Sequence, residues 1–377
     1  MSTPSSPAKL LLLTNLASPH SIKWVRGLAS RGHEVIVFSL SPYNERNYAD
    51  LDGFTGYTLG LGNKLVKTTS GKLGKVVYFR SLAVIRKIIK EHRPDIMHAH
   101  RASSYGLLGA LSGFHPYVVS VWGDDVYVFP ERNLLFRRII RFVLGRADRV
   151  LSTSHVMARQ TAKYTDKEIE VTPFGIDMQH FRPEEGTGGA NAGAITVGTI
   201  KTLEDKYGID YLIRAFARVT AAKPDRTLHL LIVGEGSRKS AYLQLVEDLG
   251  VAEKVTFTGR IPFEQIPDYH RRIDIFAALS TIDAESFGVS IIEASASARP
   301  VVVSDAGGPA EVVVDGETGF IVPKRNEESA AKAILKLVES ADLRRRMGEN
   351  GRKHVSNLYD WKDNLTLMTD IYKSILK

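Results

Sequence analysis

Short runs of Val, Ile and Leu alternate with longer amphipathic runs along almost the whole chain, and this alternation limits the folds available. "LLLLTNL" is followed by "SIKWVRGLASRGH" and then "EVIVFSL"; later come "AITVGTI", "GIDYLIRAFARVTAA" and "LHLLIVG". Strand-length runs that are apolar at every position belong to strands buried on both faces, hence to parallel sheets covered by helices. Alternation of such strands with helices is the pattern of a doubly wound α/β fold. A chain of 377 residues exceeds one core and suits two domains of roughly 150–200 residues. Pro, Gly and small residues gather in "TPFGIDMQHFRPEEGTGGANAG", where the boundary is expected. This predicts a first domain over 1–183 with residues 1–9 disordered, a linker over 184–193 and a second domain over 194–357. The opening "LLLLTNL" is read as a buried strand rather than a leader, because Thr14 and Asn15 break the run.

Composition excludes several classes. There is no cysteine, so no disulfide framework, thiol nucleophile or Cys-ligated zinc, and a cytoplasmic location fits. No apolar run approaches the ~20 residues of a membrane span. The net charge of +8 is unevenly placed: residues 1–183 carry 25 Lys and Arg against 14 Asp and Glu, the remainder 25 against 28. The first half therefore faces either ordinary solvent or something anionic, a membrane surface or an acceptor. "ERNLLFRRIIRFVLGRA" is a basic amphipathic helix pattern compatible with peripheral binding at a membrane. No nucleic-acid-binding motif is present.

Ligands of open parallel sheets bind outside the carboxyl ends of the strands, so the loops after strands hold the candidates. In "ESFGVSIIEASASARPVVVSDAGGPAEVV", Glu285 precedes a helix expected to start near Gly288, and Glu293 lies inside it. The first N–H groups of a helix attract phosphate, and glycine lets it approach. A carboxylate aimed at the same phosphate would repel it, so Glu285 and Glu293 are assigned to sugar hydroxyls, Glu293 to a ribose. Lys201 and Lys206, in the loop after the first strand of this half, are the phosphate cations, and no metal is needed. Gly198 and Gly234 are counted with the donor residues, and Arg260 with Ile261 with the nucleotide base.

These stretches, with "VGTIKTLEDKYGIDYLIRAF", "PDIMHAH" and "TPFGIDMQHFRP", resemble the retaining glycosyltransferases of family 4, and the likeness covers most of the chain. The resemblance implies the GT-B fold: two Rossmann-like domains across a cleft, with a final helix, 358–377, packing back on the first. It implies a nucleotide-sugar donor whose sugar is transferred with retained configuration, and no cofactor. Lys201 or Lys206 neutralises the diphosphate; Glu285 meets the donor sugar and Glu293 the ribose; the N–H groups of Phe287, Gly288 and Val289 meet phosphate. A UDP-sugar is the first expectation and GDP-mannose the second, with a glycan or lipid-linked sugar of the cell envelope as acceptor. Three departures stand out. Lys201 lies where many members have Arg, "NLASPHSIKW" has no glycine, and Trp122 stands where many have a donor-contacting His. A sugar-nucleotide epimerase and a catalytically silent nucleotide-sugar-binding partner are the competing readings.

The first domain is assigned the acceptor. His100, Arg101, Trp122, Asp124, Asp125 and His20 are its candidates. His98 and His100 are expected to face opposite sides of their strand, which argues against one shared metal. "ADLD" is read as a solvated loop rather than a metal-diphosphate motif.

Overall fold

The computed structural model describes residues 7–61, 72–183 and 193–377, with backbone alone at 72–76. It divides into two compact units, residues 1–173 with 363–377, and residues 174–362. The first unit holds strands β1 (Lys9–Leu13), β2 (Glu34–Ser39), β3 (Phe54–Thr58), β4 (Ile96–His100), β5 (Tyr117–Val121), β6 (Arg149–Ser152) and β7 (Ile169–Val171). They form a seven-stranded sheet in the order β3-β2-β1-β4-β5-β6-β7, parallel throughout. The second unit holds β8 (Ala194–Ile200), β9 (Thr227–Val233), β10 (Val255–Phe257), β11 (Ile275–Ala278), β12 (Val301–Ser304) and β13 (Gly319–Val322). Its six strands, also all parallel, run in the order β10-β9-β8-β11-β12-β13. Both sheets are the doubly wound kind expected.

The pairing explains the unbroken leucine run. Leu11 is paired to Ile36 on one side and Met97 on the other, and all three are buried. A central parallel strand has helices on both faces, so no position is left for a polar residue. The helices carry the complementary pattern. In Ile209–Ala222, the buried positions Ile209, Leu212, Ile213, Phe216 and Val219 recur at the three- and four-residue spacing of one helix face.

The unit boundaries differ from the expected ones. Residues 174–183 belong to the second unit. Ile176 bridges to Asp360, Phe174 packs edge-on to Phe287, and Arg352 donates to the carbonyls of Met178 and Phe181. The expected disorder of residues 1–9 is overstated at its end: Lys9 opens β1, and Ala8 is buried with its N–H on His33 Nδ1. Residues 1–6 and most of the expected linker, 184–192, lie outside the described residues. The final helix, Trp361–Leu376, starts three residues later than expected.

That helix is fixed to the first unit by a buried polar contact. Tyr372 Oη lies 2.6 Å from His98 Nδ1, and Ser120 Oγ lies 2.7 Å from His98 Nε2. Burial lowers the His98 pKa to about 3 and holds His100 well below the usual imidazole range, helped there by the neighbouring His98 and His20. Both shifts have the same sign. An unfolded imidazole takes its proton near pH 6.5, whereas the folded one stays neutral. The stabilisation is therefore complete above about pH 6.5 and is lost as the pH falls toward the folded values. Urea unfolding, followed by amide exchange in β4 and β5, is expected to show a lower midpoint at pH 5 than at pH 7. The slope approaches about 1.4 kcal/mol per pH unit for each imidazole. A midpoint that does not move over that range would mean that the imidazoles accept protons without unfolding.

Candidate active site

The strand order of the second sheet reverses between β8 and β11, and the loops that leave these strands meet. Thr281 N–H donates to the carbonyl of Lys206 at 2.9 Å. Gly208, in the left-handed region at φ 62°, presses against the carbonyl of Leu279 where a Cβ would collide. Only glycine closes this turn.

Glu285 sits at the centre of the meeting point. Lys201, the residue after β8, makes an ion pair with its Oε1, and Ser280, two residues past β11, bonds its Oε2. The Lys201 and Glu285 side chains are only 12% and 10% exposed, so each charge relies on the other; an unpaired one would be costly at that depth. Ser304 at the end of β12 donates to the carbonyl of Ser280 at 2.6 Å, and Gly308 N–H to that of Glu285 at 3.1 Å. The carboxylate is thus held from the ends of β8 and β11, and the backbone of Ser280 and Glu285 is held by Ser304, the last residue of β12, and by Gly308 beyond it. Lys206 reaches the same place from another side: the ammonium groups of Lys201 and Lys206 each lie 5.1 Å from the centroid of the Tyr207 ring. A ring contacted by both cations offers each a weak electrostatic attraction.

The helix Val289–Ala296 follows, with Gly288 in the left-handed region as its first flanking residue. Its initial N–H groups have no acceptor within the helix. The Phe287 side chain is turned away into the core between Phe174 and Tyr359, so only the backbone of Phe287 is placed for a ligand. Glu293 is buried at 6% exposure, not a surface residue, and its Oε2 lies 3.4 Å from His270 Nε2. Arg260 is exposed and Ile261 half-buried in the loop after β10. Gly234, the residue after β9, donates its N–H to the carbonyl of Gly259 at 3.0 Å. Gly198 departs from its assignment. It lies within β8, paired to Leu231 and Phe276, and the Ile273 side chain fills the space of its missing Cβ. Glycine is there for packing, not for a ligand at the strand end.

The first sheet reverses between β1 and β4. There His100 Nδ1 lies 3.1 Å from Thr14 Oγ1, which is 2.7 Å from Ser21 Oγ. The His100 ring lies 4.6 Å from that of Trp122, which is 6.1 Å from that of His20. His98 and His100 do not face opposite sides: their rings are 4.7 Å apart, because residues two apart in a strand share a face. Asp125 is also not a ligand-facing group. It is buried and accepts the N–H groups of Ala102, Trp122 and Gly123 at 2.7, 3.1 and 2.8 Å, and burial raises its pKa against those bonds. It clamps the β4 and β5 loops together. Asp124 is exposed, and Arg101, also exposed, has φ 77°. Asp50 forms a bidentate pair with Arg26 at 2.6 and 2.7 Å. Among the described residues no group of three acidic, His or Cys side chains is arranged to hold a metal, and no helix is long and apolar enough to cross a membrane.

Ser280, Tyr207 and His270 did not emerge from the sequence. Ser280 was within reach of it, since it follows a strand on the carboxyl edge; Tyr207 and His270 carry no local signal.

Comparison with known proteins gives the same picture for each half. Residues 184–354 match the model for glycosyl transferases group 1, and residues 9–154 that for glycosyl transferase 4-like proteins. The D-inositol 3-phosphate glycosyltransferase of Nocardia farcinica is 31% identical over 62% of this chain and 54% of its own, so the match spans about half that relative's length. The GDP-mannose-dependent alpha-(1-6)-phosphatidylinositol monomannoside mannosyltransferase of Mycobacterium tuberculosis is 26% identical over 92% of this chain and 91% of its own. Among solved structures, the sucrose-phosphate synthase of Thermosynechococcus elongatus superposes with a TM-score of 0.80 over 98% of this chain and 99% of its own, at 18% identity. With both halves matched and both sheets built alike, the chain belongs to the group 1, family 4-like glycosyltransferases of GT-B fold.

Proposed function

We propose that the protein is a retaining, metal-independent glycosyltransferase that moves a sugar from a nucleoside-diphosphate sugar to a glycan or lipid-linked acceptor in envelope glycoconjugate synthesis. The observation that carries this reading is the nearly dry Lys201–Glu285 pair at the strand reversal, with Lys206 across the Tyr207 ring. Two ammonium groups beside the start of the helix Val289–Ala296 supply what a diphosphate leaving group needs as its charge develops. The carboxylate of Glu285, with Lys201 on one oxygen and Ser280 on the other, is preorganised to accept hydrogen bonds from donor-sugar hydroxyls. In this reading the sugar leaves and the acceptor hydroxyl attacks on the same face, and Lys201 and Lys206 stabilise the departing phosphate. A UDP-sugar is the first candidate donor. GDP-mannose is the second, supported by the name of the mycobacterial relative.

Replacing Glu285 with Gln is expected to lower kcat by about 10²-fold or more with the circular dichroism spectrum unchanged; sugar transfer by the purified variant at the wild-type rate would sink this assignment. Lys206→Ala is expected to weaken UDP or GDP binding by roughly tenfold to a hundredfold, the value of one charge-assisted contact. Calorimetry in the presence of a chelator checks both the loss and the absence of a metal requirement.

A peripheral site on the inner face of a membrane is the proposed location. The helix Leu134–Arg146 exposes Leu134 at 71%, Leu135 at 63% and Phe142 at 43% beside its arginines. Such a face supports adsorption to anionic lipid. Co-sedimentation with vesicles containing phosphatidylglycerol is expected for the wild type and to fall several-fold in the Leu134→Ser, Leu135→Ser double variant. Equal pelleting of both with neutral vesicles would argue for nonspecific association instead.

A further inference from the structure

His270 is a fully buried imidazole on the short helix Ile266–Arg271. Its Nε2 lies 3.4 Å from Glu293 Oε2, and its Nδ1 is buried without a hydrogen-bond partner. The ring is held between two aromatic walls. Phe181 lies 5.9 Å away at 70°, and Phe276, on β11, 5.4 Å away at 43°. Arg352 joins the Phe181 wall to the helix carrying Glu293, since it donates to the carbonyl of Phe181 and to that of Ala296, the helix's last residue. A leucine or phenylalanine would fill this place without the cost of burying a polar ring. The one polar use of the imidazole is the Glu293 carboxylate. At 3.4 Å the contact is long for a hydrogen bond, and both partners are buried.

We propose that His270 is a positioning residue that holds the Glu293 carboxylate in the orientation in which it accepts the ribose hydroxyls of the donor. This rests on the reading that Glu293 meets the ribose. Nε2–H directed at Oε2 sets the plane of the carboxylate and leaves Oε1 and one lone pair of Oε2 for the two hydroxyls of a ribose. His270 touches no ligand itself; it acts through Glu293, so its removal is felt where the ribose hydroxyls are read and nowhere else.

The test is calorimetry of the full chain with UDP and GDP and with their 2′,3′-dideoxy counterparts, without added metal, on wild type, His270→Leu, His270→Gln and Glu293→Ala. The wild type is expected to prefer the ribonucleotide. His270→Leu is expected to reduce that preference about five- to tenfold, with dideoxynucleotide affinity within about twofold of wild type. His270→Gln, which keeps a donor near the Nε2 position, restores the preference. Equal weakening of both nucleotides in His270→Leu, or an unchanged preference, overturns the positioning role. Glu293→Ala separates the two levels. If it leaves the preference intact, the ribose assignment itself fails; if it abolishes the preference while His270→Leu does not, only the role of His270 fails. Should His270→Leu not fold, His270→Asn, whose amide is too short to reach Glu293, takes its place against His270→Gln, and equal preference in those two overturns the proposal.

Discussion

In each sheet the strand order reverses at one point, and the carboxyl-edge loops on either side of it are where a ligand of such a sheet binds. In the second unit this point lies between β8 and β11, and almost every polar feature of the candidate site follows from it. Lys201 is the first residue after β8, Ser280 the second after β11, and both converge on Glu285 because their strands are neighbours. Gly208 and the Thr281–Lys206 backbone bond then hold the two loops in contact. The pair formed is nearly out of solvent. Its charges therefore interact more strongly than surface charges, and they need little rearrangement when charge develops nearby. Such a pair is poor evidence for stability, since its desolvation is expensive. Its location at the strand reversal points to chemistry rather than to holding the fold together.

What was legible in the sequence follows from range. The strands could be read because a parallel strand in mid-sheet is buried on both faces, so Leu10 to Leu13 and Val301 to Val303 appear as unbroken apolar runs. Glu285 and the lysines could be read because the carboxyl-edge rule needs only the order of strand and loop. The unit boundary could not, because the contacts that assign residues 174–183 to the second unit come from Phe287, Arg352 and Asp360, more than a hundred residues away. His270 was hidden for the same reason: its role is defined by Glu293, 23 positions on. Gly198 shows the opposite failure, a glycine in a suggestive place whose reason is a neighbouring isoleucine side chain.

The two carboxyl edges are built on different electrostatic plans. In the second unit the edge carries opposed charges, two ammonium groups at one tyrosine ring and a carboxylate paired with one of them. In the first, the interior polar groups are kept neutral or are fully engaged. Burial disfavours protonation of His98 and His100, and three backbone N–H groups occupy the Asp125 carboxylate. The excess positive charge of residues 1–183 lies instead on exposed side chains such as Arg138, Arg141 and Arg146 of the helix Leu134–Arg146.

This difference bears on the proposed division of labour. A diphosphate needs fixed cations near it, and the second unit supplies Lys201 in its nearly dry pair with Glu285 and a half-buried Lys206 at the Tyr207 ring. A sugar hydroxyl is neutral. A charge buried beside it must be paired, as Glu285 is by Lys201, whereas a neutral imidazole, a hydroxyl or an indole face can hydrogen-bond to or stack against a sugar ring without that cost. At the reversal of the first sheet Thr14, Ser21 and His100 are buried and bonded to one another, with the half-buried Trp122 indole against the His100 ring. An acceptor carried on an anionic lipid would then meet charge only at the exterior of this unit, where lipid attraction is long-ranged and salt-sensitive. The acceptor itself would be met by uncharged groups, so that membrane attraction and acceptor selection rest on separate sets of residues.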